Sequence, residues 1–454
     1  MNIPQPLIDS LAGVTGFERD AFLRVHHSGE QVTSVRLNPL KPVEAFPKFE
    51  NAASVPWSIY GRYLGKRPSF TFDPLFHAGT YYVQEASSMF LEQAIRQTTD
   101  LSRPLRVLDL SAAPGGKSTH LQSLISDASL LVSNEVIRTR ANILKDNIIR
   151  WGGDNVVVSH NDPADFGRLE NFFDIIVVDA PCSGSGLFRR EPEAIEEWSE
   201  QNVILCAQRQ QRILADIFPA LKNDGLLVYS TCSYSPAEDE SILDWYTRDF
   251  DLSTIRLDKT DDWNITETTT GSGAFGYRFW PYKTKGEGFF LAAFRKNSGA
   301  AEPYAKTRKK IAGLTEREKT AVGRWMDHSP FELVRHEQTI YAWPLELSSD
   351  MNLLLNNLRV IYSGILLGEL KHDKLVPDHA LALSTKTADD ITRVELSYDD
   401  AIRFLQRKEF SMPDAAKGWS VMTFSRQPIG WANILPNRIN NYYPKELRIL
   451  KEKE

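Results

Sequence analysis

Between about residue 103 and Lys296, short apolar runs alternate with helical patterns. "RVLDL" precedes "KSTHLQSLIS", and "SLLVSNE" precedes "RTRANILKDNIIRWG". "NVVVSH", "FDIIVVDAP" and "GLLVYSTC" follow, the last two separated by "NVILCAQRQQRILADIFPALK", and "EGFFLAAFRK" reads as a last strand. Continuous apolar runs predict strands buried on both faces, and their alternation with helices predicts an α/β, doubly wound parallel sheet. Upstream, "TSVRLNPLK" predicts a strand and turn, and "FHAGTYYVQEASSMFLEQAIRQ" predicts an aromatic strand leading into an amphipathic helix. Beyond Lys296, "NSGAAEPYAKTRKK" is small, polar and charged, the composition of a linker. The remainder is rich in short β-like runs and turns and predicts small β-containing units, with no repeat of fixed period.

A chain of 454 residues suggests about three domains, or one large domain with appendages. The net charge of -6 excludes a strongly basic protein that binds nucleic acid over its whole surface. A nucleic-acid surface must then be local. The candidate patches are "KTRKK" at 306–310 and the cluster Arg138, Arg140, Lys145 and Arg150, although runs of charge are ordinarily solvated faces. The apolar runs fall far short of the ~20 residues that cross a bilayer, and the opening "MNIPQPLIDSLAGVTG" lacks the basic region of a signal peptide. No membrane association is expected, and the cytoplasm is the expected compartment. The three cysteines, at 182, 206 and 232, form no C-x-x-C pair, which argues against a zinc ribbon or a disulfide framework. No metal site is predicted.

The loop "DLSAAPGGKSTHL" follows the first strand of the regular region. A nucleotide-triphosphate loop needs G-x-x-x-x-G-K-[ST]. Gly116-Lys117-Ser118 matches its end, but Ser111 replaces the first glycine and Pro114 removes a backbone donor. The dinucleotide pattern G-x-G-x-x-G is absent. S-adenosylmethionine carries no phosphate. It needs a tight turn after the first strand and an acid at the end of the second for its ribose hydroxyls, the device that also holds ribose in dinucleotide folds. Glu135 ends the second strand, and Asp162 follows the third, where it could reach the adenine amine.

"DAPCSGSG" follows the fourth strand and "YSTCSYSP" the fifth. With the strand order 3-2-1-4-5, the crevice lies beyond the carboxyl ends of the strands at the switch point, and neighbouring strands run about 4.8 Å apart. Asp179, Cys182 and Cys232 are therefore expected to open onto one cavity beside the cofactor's methyl group. Loops rich in Pro, Ser and Gly are poor packing sites and good functional ones. Cys206, with Val203, Gln210 and Ile213 at helical spacings, reads as core. Two thiols and an acid beside an electrophilic methyl suit nucleophilic catalysis on a cytosine. A thiolate adding to carbon 6 turns carbon 5 into a nucleophile, Asp179 near nitrogen 3 would stabilise the adduct, and a second cysteine would assist release. Which thiol attacks is left open by these residues. Phe188, Tyr234 and Tyr82 are candidates to stack on the base or to pack in the core.

The motifs "FHAGTYYVQEASSM", "DLSAAPGGKSTHL", "SNE", "DAPCSGSGLFRREPE" and "YSTCSYSPAEDE", in this order, resemble those of the RNA cytosine-5 methyltransferases of the Sun/Nop family. The C-terminal modules look like the extra region and PUA-like domain of its bacterial RsmF type. The resemblance implies a Rossmann-like, S-adenosylmethionine-dependent methyltransferase that modifies 16S ribosomal RNA and not DNA and acts as a monomer. It implies an N-terminal RNA-binding extension over 1–75, a methyltransferase domain over 76–297, a linker and middle module over 298–380, and a PUA-like RNA-binding domain over 381–454. The family's cofactor loop falls on Ser111, Ala112, Ala113, Pro114, Gly115, Gly116 and Lys117. Its ribose acid falls on Glu135, its adenine-side aspartate on Asp162 and its motif-four aspartate on Asp179. The resemblance also decides between the thiols: Cys232 attacks and Cys182 helps product release. Ser111 departs from a family loop that often opens with cysteine. Two readings compete with this one, a transfer-RNA methyltransferase and a ribosome-assembly factor that binds RNA without turnover.

Overall fold

The computed structural model describes residues 2–49, 51–297, 311–371, 374–412 and 415–452. The "KTRKK" patch and most of the expected linker lie outside the described residues. Four sheets organise the described residues. Strands β1 (Thr33–Leu37), β2 (Ala53–Ser54), β3 (Gly61–Leu64) and β4 (Tyr81–Val83) form an antiparallel sheet in the order β2-β3-β1-β4. The central sheet takes β5 (Arg106–Asp109), β6 (Leu130–Asn134), β7 (Val156–Ser159), β8 (Phe173–Asp179), β9 (Leu221–Thr231), β10 (Leu252–Ile255), β11 (Thr266–Thr269), β12 (Phe275–Phe279) and β13 (Phe289–Lys296). Strands β14 (Phe331–His336), β15 (Thr339–Pro344), β17 (Ile365–Lys371) and β18 (Lys374–Pro377) form a third sheet, while β16 (Val360–Ser363) leaves that module for the central sheet. Strands β19 (Arg393–Glu395), β20 (Gly418–Phe424), β21 (Gln427–Leu435) and β22 (Arg438–Asn441) form the last.

The parallel part of the central sheet runs β7-β6-β5-β8-β9, the expected 3-2-1-4-5 order. Alternate residues of each strand serve opposite faces, as the pleat requires. Ile175 and Val177 of β8 pack with the helices Leu91–Thr98, Gly116–Gln122 and Arg138–Trp151 through Ile95, Leu121, Leu144 and Ile148. Ile176 and Val178 pack with the helices Glu200–Ile217 and Glu240–Asp249 through Ile213, Leu214, Ile242 and Leu243. Burial of each such side chain contributes about 1.5–3 kcal/mol. The helix Glu200–Ile217 starts where the Ser199 side chain accepts the Asn202 N–H, and Cys206 lies within it, buried as predicted. Among the described residues, no helix is long and apolar enough to cross a membrane, and no cluster of His, Cys, Asp and Glu could hold a metal.

Two sequence expectations need correction. The run "EGFFLAAFRK" is β13, antiparallel to β9, but it is not the last strand: β16 adds antiparallel to β7 at the far edge. A four-residue run gives no pattern by which to assign it to a distant sheet, yet it covers an edge whose backbone groups would otherwise lack partners. The basic cluster on Arg138–Trp151 is also no single solvated face. Arg140 donates to the Ala113 carbonyl at 2.9 Å, and the Arg150 guanidinium lies 4.2 Å above the Phe76 ring.

The middle module and the central sheet share one core, in which Trp343, Leu347, Met351 and Leu354 pack with Val157 and Ile176. Trp343 is 2% exposed and donates its indole N–H to Ser363 at 2.9 Å. Trp343→Ala should cost about 3–5 kcal/mol. Hydrogen exchange should then report lower protection in β6 and β7 together with β15, not in the module alone.

Candidate functional site

The loop between β5 and the helix Gly116–Gln122 is shaped by its neighbours. Gly115 has φ +117, a left-handed conformation that an L side chain rarely adopts, and a Cβ there would meet Leu144 at 3.3 Å. Arg36 of β1, fully buried, ties the N-terminal sheet to this loop. It donates to Gln84 at 2.8 Å, Thr119 at 2.6 Å, Ser123 at 3.0 Å and the Gly116 carbonyl at 3.3 Å. The sequence reading missed Arg36, because the contacts that define it lie far away in the chain.

The carboxyl ends of β8 and β9 are adjacent, with Asp179 in register with Ser230. Asp179 accepts the Ser230 hydroxyl at 2.8 Å and pairs with the Lys117 ammonium, also at 2.8 Å. Burial works to lower the Lys117 pKa, but the Asp179, Asp109 and Cys232 charges outweigh it and hold the ammonium protonated. The loop after β8 folds back onto the one after β9: the Gly186 N–H donates to the Cys232 carbonyl at 2.8 Å. A Cβ at Gly186 would lie 2.7 Å from that carbonyl and 2.5 Å from the Gly288 carbonyl, so the close approach requires glycine. The sulfurs of Cys182 and Cys232 are brought to 3.0 Å. The hydrogen bond to Cys232, then burial, then the Cys232 and Glu238 charges push the Cys182 thiol well above its usual pKa.

A cavity of about 320 Å³ opens here, lined by Ser111, Ala112, Ala113, Pro114, Gly116, Lys117, Asp179 and Cys232, with Tyr82, Gln84, Glu85 and Phe289 opposite. Cys182, expected to open onto the same cavity, is not among its lining residues; its sulfur meets that of Cys232, which is. Gly115 faces Leu144, away from the lining. Glu135 is buried beyond β6; it accepts the Ile137 N–H at 2.9 Å and lies 3.6 Å from Arg140. Asp162 accepts the Ala164 N–H at 3.1 Å, pairs with Arg212 at 3.4 Å, and lies outside the cavity lining. Phe188 and Tyr234 are core residues, Tyr234 stacking on Trp280 with ring centroids 5.5 Å apart. Of the three aromatic candidates, Tyr82 alone lines the cavity.

The cavity wall is tied by two carboxylates that the sequence did not single out, Glu85 at its surface and Glu287 buried. Glu85 accepts the N–H groups of Ser87, Ser88 and Glu287, each at 2.9 Å. Glu287 pairs with Arg189 at 2.9 Å, both nearly fully buried. Quoted motifs contain both residues, but only the fold gives them partners.

Comparison with known proteins matches residues 98–295 to a family described as 16S rRNA methyltransferase RsmB/F. Residues 3–86, 324–384 and 392–449 match the N-terminal, first C-terminal and PUA domains described for RsmF methyltransferases. The chain is 31% identical to ribosomal RNA small subunit methyltransferase F of Aliivibrio salmonicida, over 91% of this chain and 90% of that one. It is 29% identical to the protein of the same name from Escherichia coli, over 82% and 78%. A methyltransferase homologue from Pyrococcus horikoshii is similar in structure, with TM-score 0.51 and 28% identity over 65% of this chain and 100% of that one.

Asp109, at the end of β5, accepts the Ser118 hydroxyl at 2.7 Å, and its other oxygen has no hydrogen-bond partner. Burial, opposed by Ser118 and Lys117, pushes its pKa from 3.8 up to about 7. Between these values the folded state alone holds the proton, so stability falls as pH rises through the window, by at most about 1.4 kcal/mol per pH unit. Asp109→Asn lacks this slope. Its stability relative to wild type should rise between about pH 4 and pH 7, as measured by urea unfolding across that range.

Proposed function

Because the chain belongs to the RsmB/F family of 16S rRNA methyltransferases, we propose that it transfers a methyl group to carbon 5 of a cytosine in 16S ribosomal RNA through a covalent bond to Cys232. The observation that carries this reading is the convergence of two thiols 3.0 Å apart and the Lys117–Asp179 pair on the ends of two adjacent strands, beside the glycine loop. S-adenosylmethionine, the cofactor of this family, supplies an electrophilic methyl on a sulfonium. The residues fit it: the backbone of 111–116 would hold its amino-acid end, on the side of the cavity where Gly116 faces Tyr82 and Gln84. Beyond the lining of the cavity, Glu135 at the end of β6 would take the ribose hydroxyls, and Asp162, which now pairs with Arg212, the adenine side.

The Cys232 thiolate adds to carbon 6 of a cytosine drawn out of its stack, which a single-stranded or splayed RNA base permits. The electrons of the carbon 5–carbon 6 double bond become available at carbon 5, where the new carbon–carbon bond forms. The Lys117 ammonium, oriented by Asp179, meets the charge that builds up on the ring at nitrogen 3 and oxygen 2. Loss of the carbon 5 proton to solvent then re-forms the carbon 5–carbon 6 double bond, while the carbon–sulfur bond breaks and leaves its electron pair on the Cys232 sulfur. Cys182, held as a thiol, gives its proton to the departing Cys232 sulfur and takes it back when Cys232 attacks the next base. The flanking segments 1–75 and 381–454 take the role of gripping RNA, and 298–380 connects the second of them to the methyltransferase domain.

Cys232→Ala should reduce methyl transfer to background, measured as tritium transfer to 16S RNA. Cys182→Ala should slow release by about 10²–10⁴-fold and leave an RNA–protein complex that survives denaturing gel electrophoresis; free release with wild-type turnover would contradict the role of Cys182. Lys117→Met, which keeps the stem and removes the charge, should lower kcat by about 10²–10³-fold with little change in melting temperature. Bisulfite sequencing of ribosomal and transfer RNA, with and without the gene, identifies the substrate.

A further inference from the structure

Glu238 lies in the segment between β9 and the helix Glu240–Asp249, and it is fully buried. Its Oε1 accepts the Ser183 N–H at 2.7 Å and the Gln210 amide at 3.5 Å. Its Oε2 accepts the Ser183 hydroxyl at 2.5 Å and the Ser233 hydroxyl at 2.6 Å. Ser183 directly follows Cys182, and Ser233 directly follows Cys232. Gln210 also donates to the carbonyl of Pro181, on the other side of Cys182, at 3.0 Å. The main chain of Glu238 is held in turn, its carbonyl accepting the Tyr229 hydroxyl at 2.6 Å.

A buried carboxylate costs several kcal/mol unless it is fully bonded. Among the described residues Glu238 has no ion-pair partner, and its hydrogen-bond donors come from the two cysteine loops and from Gln210. If it served packing alone, an apolar side chain of similar size would do as well. We propose that Glu238 is a positioning residue that sets the separation of the two cysteine sulfurs, one carboxylate anchoring the residue that follows each. This assignment rests on the covalent reading of Cys232 above and extends it: the step it governs is the transfer of the Cys182 proton to the departing Cys232 sulfur as the carbon–sulfur bond breaks and leaves its electron pair on that sulfur. The Glu238 charge also contributes, after the Cys232 hydrogen bond and burial, to keeping Cys182 protonated.

The separation is measurable without RNA. Diamide, a thiol oxidant, takes two hydrogens from a pair of thiols, is reduced to the hydrazine, and leaves a disulfide; mass spectrometry follows the Cys182–Cys232 bond. Glu238→Gln and Glu238→Ala should form it at least about 10-fold more slowly than wild type, since a displacement near 1 Å at a reacting centre costs up to about 10²-fold. Ser233→Ala removes one of the Glu238 ties, together with the Ser235 N–H bond at 3.0 Å, and should show a loss in the same direction, which keeps the claim testable if both Glu238 variants fail to fold. With RNA and S-adenosylmethionine, Glu238→Gln should lower kcat about 10–100-fold at an unchanged KM for RNA and accumulate the Cys232-dependent adduct, as Cys182→Ala does. Wild-type rates of disulfide formation in folded Glu238 variants would overturn the proposal. Slower disulfide formation with no adduct in any variant, Cys182→Ala included, would uphold the positioning role and reject the covalent reading instead.

Discussion

The parallel register between β8 and β9 is the constraint on which the site depends. Asp179 stands opposite Ser230, so the loops that leave the two strands must start side by side at the sheet's ladder spacing, about 4.8 Å. Each loop carries a cysteine near its start. The Gly186 N–H to Cys232 carbonyl bond then closes one loop onto the other, and the sulfurs meet at 3.0 Å. Neither cysteine could be brought to the other by a local motif, since each follows a different strand and a long helix separates them.

Around this junction the protein sequesters several ionisable groups. Asp109, Glu85, Glu238 and Asp239 are pushed up in pKa by burial, and Arg36, Arg189 and Arg278 sit with almost no exposure. Each would be costly if unpaired. Their bonds run mainly between segments distant in sequence, so the network fixes loop against loop. Preorganised polar groups of this kind favour a transition state in which charge develops at known atoms, because they need not reorganise as the reaction proceeds. Asp239, for example, accepts the Thr231 hydroxyl at 2.6 Å and pairs with Arg278 at 3.1 Å, which fixes the chain just before Cys232.

The appended modules are built into the same body. β16 completes the edge beyond β7, Arg106 at the start of β5 pairs with Asp350 at 2.6 Å, and Tyr398 of the last module donates to the Phe72 carbonyl at 2.9 Å. These contacts tie the flanking modules to the sheet that carries the cavity and to one another.

The periodic features of the chain were legible without a structure. Continuous apolar runs fixed the parallel strands, and their order followed from the doubly wound pattern. The placement of Ser111 to Lys117, Asp179 and Cys232 after strand ends followed from their position in the chain, since a strand end and the loop after it are local properties. Cys206 was readable as core for the same reason. Tertiary structure alone decided the rest. It set the Lys117–Asp179 pair, the Arg36 tie and the Glu238 clamp, placed Phe188 and Tyr234 in the core, and recruited β16 from the middle module. These depend on contacts between residues far apart in sequence. Periodicity reports which face of an element is buried, whereas a hydrogen bond between distant loops leaves no period to read.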